Sequence, residues 1–75
     1  PEADAARAGT MLGFRLAHAG RWTAARELFA SVAENYPAYP DAVEAIRWLV
    51  RFHGSGEARR RVELGHFPLI RDTGW

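Results

Sequence analysis

Apolar residues recur along the chain at three- and four-residue steps, the spacing that places them on one side of an α-helix. The first such stretch covers residues 3–19 and carries Ala5, Ala8, Leu12, Leu16 and Ala19 as its stripe. Glu2 and Asp4 stand in its first turn, where negative charge suits the helix dipole. Gly20 follows at the place where a left-handed residue ends a helix. A second helix is expected over residues 22–35, with Trp22, Ala25, Leu28, Phe29, Val32 and Tyr36 forming the clearest amphipathic pattern in the chain. Pro37 closes it, because its ring lacks the N–H and disfavours a helical residue before it.

Pro40 suits the first position of a third helix. That helix carries Ala42, Ala45, Ile46, Leu49, Val50 and Phe52, and Gly54-Ser55-Gly56 breaks it. A fourth, over residues 57–64, has a thin apolar face of Ala58, Val62 and Leu64, with Ser55 as a candidate cap. Gly65 and Pro68 close it, leaving an irregular tail with Phe67, Leu69, Ile70 and Trp75. No alternation of strand type competes. The chain reads as all-α, with about four helices in hairpins spanning 1–39 and 40–65 and a tail over 66–75.

Only 75 residues are available. A domain of that size buries about 60% of the surface its unfolded chain exposes, and such domains are often marginal. Without cysteine, disulfides and thiolate metal sites are excluded. A partner is therefore the expected missing support. The net charge is +1, and all ten basic residues are Arg. They are dispersed except at Arg59, Arg60 and Arg61, so a pI near 9.0 is a poor argument for nucleic acid. No apolar run approaches the roughly 20 residues that cross a bilayer. The chain begins at Pro1 with no signal-type pattern, which fits a mature or excised fragment.

Residues 6–39 have the length of one tetratricopeptide unit and resemble it. Leu12-Gly13 corresponds to the Leu-Gly pair of the first helix, Gly20 to the turn glycine, and Trp22 to the aromatic opening the second helix. Ala25, Phe29 and Pro37 match the small residue, second aromatic and closing proline. The resemblance implies stacked antiparallel hairpins forming a superhelix, with Gly13 opposite Ala25 where the helices approach. Gly9 departs from the pattern, which has a large aromatic there, and Leu16 replaces a frequent Tyr; a hollow is expected at Gly9 unless a neighbour fills it. The second unit, with Tyr36-Pro37-Ala38-Tyr39-Pro40 and then Trp48-Leu49, is similar to repeats of bacterial envelope proteins, although Val50 stands where Gly should follow. This favours a bacterial periplasm or cell envelope location.

In that family the first helices of successive hairpins line a groove for a peptide or helix. Carried over, the groove takes Arg7, Thr10, Met11, Phe14, Ala17 and His18 from the first helix. From the third it takes Glu44, Trp48 and Arg51, and the tail residues Phe67, Leu69, Ile70 and Trp75 are docking material.

Chemistry of other kinds finds little footing. His18 ends the first helix, His53 ends the third and His66 lies after the fourth, with no i, i+4 pair, so no metal site is expected. Glu27 with Glu34, and Asp41 with Glu44, are read as charges for helix stability and solubility. Ser31, Thr10 and Thr23 have no base identifiable in the sequence, and there is no phosphate-binding glycine loop. The expectation is a non-catalytic interaction scaffold without cofactor, binding a protein or peptide or copies of itself. The alternatives are a small Arg-rich binder of nucleic acid or acidic surfaces, marked by steep salt dependence, and an accessory subunit of an envelope complex.

Overall fold

A computed structural model describes residues 1–57 and Arg60. Three helices account for them in order: α1 (Glu2–His18), α2 (Trp22–Asn35) and α3 (Pro40–His53). Of the fourth expected helix, Glu57 and Arg60 are helical, as is Gly56, which the sequence reading places in the break before it; the rest lies outside the described residues, as does the tail. Among the described residues there is no strand, and no helix is long and apolar enough to cross a membrane.

The turn between α1 and α2 follows from Gly20, whose φ of 77° is reached freely only without a Cβ. The Gly20 amide donates to the Ala17 carbonyl at 3.0 Å and the Arg21 amide to the Leu16 carbonyl at 2.9 Å. That pair of bonds is the Schellman closure, and it satisfies carbonyls the helix end would leave bare. The turn into α3 is held by the Tyr36 amide on Val32 and the Tyr39 amide on Tyr36, with Pro40 opening the helix.

The helices alternate in direction. A Cβ at Gly9 would meet Val32, and one at Gly13 would meet Phe29, so residue numbers fall along α2 as they rise along α1. Across α2 and α3, Phe29 packs on Trp48 and Trp22 on Phe52, again with opposed numbering. α1 and α3 therefore run parallel, both flanking α2. At their N-terminal ends Arg7 pairs with Asp41 at 3.3 Å and the Tyr39 hydroxyl donates to Glu2 at 3.2 Å.

The core is built on Phe29 and Leu49, both fully buried, with Ala17, Ala25, Val32 and Ala45 around them. Two expectations from the sequence are corrected here. The stripe of α1 is rotated: its buried residues are Ala6, Thr10, Gly13 and Ala17, whereas Ala5, Ala8, Leu12 and Ala19 are exposed and Leu16 is only half-buried. Close approach to α2 demands small side chains, so the bulkier stripe is left facing outward. Gly13, moreover, does not sit opposite Ala25. The nearest atoms to an added Cβ are three of the Phe29 ring, at 2.7, 2.8 and 3.0 Å. At Gly9 a neighbour does fill the space: the Val32 Cγ2 methyl lies 2.8 Å from where a Cβ would stand.

Candidate functional site

Parallel α1 and α3 leave a groove between their C-terminal halves, with the N-terminal end of α2 beneath. It has a volume of about 520 Å³. From α1 come Phe14, Ala17 and His18; from α2, Trp22; from α3, Trp48, Arg51 and Phe52; and beyond α3, Ser55 and Glu57. Helical spacing explains the set. Phe14 and His18 are one turn apart on α1, as are Trp48 and Phe52 on α3, so each pair shares a side of its helix.

The walls are aromatic and mutually braced. Phe14 meets Phe29 edge-on at 5.1 Å between centroids, and Trp48 lies 4.7 Å from the same ring. Trp48 and Phe52 stack at 4.9 Å, and Phe52 stacks on Trp22 at 6.1 Å. Rings in such pairs gain about 0.5–1.5 kcal/mol beyond the area they bury. Phe14, Trp22 and Trp48 remain half-buried, so apolar surface still opens onto the groove.

The polar groups sit on the rim. His18 and Arg51 are exposed in the last turns of α1 and α3, where cations also suit the helix dipoles. Glu57 is paired with Arg60 at 3.1 Å, and the Ser55 hydroxyl donates to the Phe52 carbonyl at 2.6 Å. Nearby, His53 is held below its ordinary pKa, first by burial and then by the Arg26 guanidinium.

Of the residues expected to line a groove, Phe14, Ala17, His18, Trp48 and Arg51 come together in it. Arg7, Thr10, Met11 and Glu44 do not line it. Arg7 is engaged with Asp41 at the other end of the helix pair. Thr10 is buried, its hydroxyl donating to the Ala6 carbonyl at 2.9 Å, and Met11 and Glu44 are exposed. Phe67, Leu69, Ile70 and Trp75 lie outside the described residues. The sequence reading missed Trp22, Phe52, Ser55 and Glu57 as lining residues. Continuing the Trp48 side of α3 by one turn, to Phe52, would have found one of them.

Away from the groove, two outer faces carry large aliphatic side chains. On α1 these are Met11 and Leu12, and on α3 Val43, Ile46 and Val50, each between 43% and 52% exposed. Among the described residues, no group of three His, Cys, Asp or Glu could hold a metal ion. Compared with protein-family models, curated proteins and solved structures, the chain finds no match.

Proposed function

We propose that this chain is a non-catalytic scaffold segment of tetratricopeptide-like kind, working by stacking on further helical units, including copies of itself. The observation that carries the reading is the pair of uncovered aliphatic faces. Val43, Ile46 and Val50 follow each other at i, i+3 and i+7 on α3, and so form one ridge. On α1, exposed Ala5 and Ala8 leave room beside Leu12 for such a ridge to settle. The two faces differ in shape and lie on different helices, so a contact between them is head-to-tail and repeats along a stack. Repeat modules that cannot bury their faces alone do so on neighbours. Clusters of this kind on a small protein mark interaction sites.

Mixing experiments test it. Leu12→Glu blocks the α1 face and Ile46→Glu the α3 face, and both positions are exposed, so the fold should persist. Each variant alone is expected at the monomer mass of 8.4 kDa. Their mixture is expected at twice that value, because each still holds the face the other lacks. A mixture that remains monomeric overturns the stacking reading.

A further inference from the structure

The groove between α1 and α3 uses none of the residues of the stacking faces, so what it holds is a separate question. We propose that it is a site for a small amphipathic carboxylate: one acid group joined by a short spacer to an apolar body, as in an arylalkanoic or a medium-chain fatty acid.

Size and walls point to a small molecule. At about 520 Å³ the groove falls within the roughly 300–1,000 Å³ of small-molecule sites, which combine apolar walls with a few polar groups. Phe14, Trp22 and Trp48 each pack on another ring of the protein yet stay only half-buried, so the apolar surface is preformed. The way the rings pack selects the charge of the ligand. Trp48 lies at 14° to Phe52, and Phe52 at 18° to Trp22, so these rings turn π faces to one another. Much of what remains for a ligand is ring edge. Edges carry partial positive charge and faces partial negative charge, so the walls suit an anion better than a cation.

The rim fixes where the acid group goes. Arg51 follows Trp48 by three residues and His18 follows Phe14 by four, which sets each about 4.5–6 Å along its helix from a wall ring. Because α1 and α3 are parallel, both groups stand at the same end of the groove, and among the described residues neither is in an ion pair. The rim carboxylate of Glu57 is countered by Arg60 at 3.1 Å. Two helices end here and α2 begins, so their dipoles leave about half a negative charge, less than the full positive charge of Arg51. A guanidinium takes a carboxylate through two parallel hydrogen bonds, and the His18 imidazole can donate a third. The spacing of about one turn between ring and cation asks for a ligand with a few methylenes between body and acid.

The test uses the full 75-residue chain and three ligands of one shape: 4-phenylbutyrate, its neutral amide, and 4-phenylbutylamine. Octanoate serves as the fatty-acid arm, and acetate measures the acid group without an apolar body. In low salt the acid is expected to bind at least about fivefold more tightly than the amide, and the amine more weakly than either, with the advantage of the acid shrinking as salt rises. Arg51→Gln, at an exposed position and with its fold checked by circular dichroism, should bring acid and amide within about twofold. Acetate should bind at least about tenfold more weakly than 4-phenylbutyrate. NMR shifts should fall on Phe14 and the Trp48 indole. Tighter binding of 4-phenylbutyrate than of octanoate assigns the site to aryl acids and the reverse to fatty acids; either supports the proposal. Equal affinity for acid and amide, preference for the amine, acetate as tight as 4-phenylbutyrate, or shifts elsewhere each overturns it. Leu12 does not line the groove, so Leu12→Glu should leave these affinities unchanged whether or not the stacking reading holds.

Discussion

Replacing Gly13 with Ala isolates the contact on which the first hairpin turns. In a helix interior the change should stabilise by about 1 kcal/mol, since Gly loses more backbone freedom and exposes more backbone than Ala. Here the new Cβ would stand 2.7, 2.8 and 3.0 Å from three atoms of the Phe29 ring, closer than side chains approach. Phe29 is fully buried and wedged between Phe14 and Trp48, so the ring has nowhere to retreat. Overpacking of this kind costs about 1–3 kcal/mol. The sum is a variant between neutral and about 2 kcal/mol less stable than the parent. Phe29→Leu removes the three ring atoms in question. In that background the same Gly13→Ala change should regain its helix advantage and stabilise by about 1 kcal/mol. Urea unfolding followed by circular dichroism, on the parent, the two single variants and the double, gives the coupling directly. The expected interaction is about 1–3 kcal/mol, well above the few tenths found for independent sites. If Gly13→Ala stabilises equally in both backgrounds, Gly13 does not face Phe29 and the hairpin register is wrong.

The α1–α2 turn should resist any side chain at Gly20: Gly20→Ala, forced to a φ of 77°, is expected to lower stability by about 1 kcal/mol, seen as a melting point lower by roughly 4–8 °C. His53 makes stability pH-dependent. Its folded pKa lies below the ordinary 6.5, so the neutral form is favoured by folding, and stability is full above about pH 6.5 and declines as the pH falls through that value toward the folded pKa. His53→Gln should flatten that decline in denaturant titrations across pH. Arg7→Ala should cost about 1 kcal/mol, because the Arg7 side chain is 70% exposed, which weakens its pair with Asp41 even though the Asp41 side chain is only 11% exposed.

How much of this was legible beforehand differs from helix to helix. In α2 the apolar stripe was read correctly, because Ala25, Phe29 and Val32 are buried between two neighbours and the helix must be apolar on both contacting sides. In α1 the stripe was legible but its role was not. Hydrophobic periodicity ranks Leu12 above Gly9, Thr10 and Gly13, while close helix packing prefers the small residues, and so the larger ones face outward. Gly20 and Pro40 marked their turns because each has a backbone requirement readable from a single residue. The groove was half legible. Phe14, His18, Trp48 and Arg51 came from the groove that the tetratricopeptide resemblance implies, but Trp22 and Phe52 read as packing residues, and stacking on each other gives no periodic signal in the sequence. Arg7 was misplaced because its ion pair with Asp41 joins residues far apart in the chain.

The central claim, that the outer faces of α1 and α3 exist to be covered by other helical units, is tested most directly by sedimentation equilibrium of the unmodified chain over a wide concentration range. The account predicts an average mass above 8.4 kDa that rises with concentration and returns to the monomer value on Ile46→Glu. A folded chain that stays at 8.4 kDa at every concentration would contradict it.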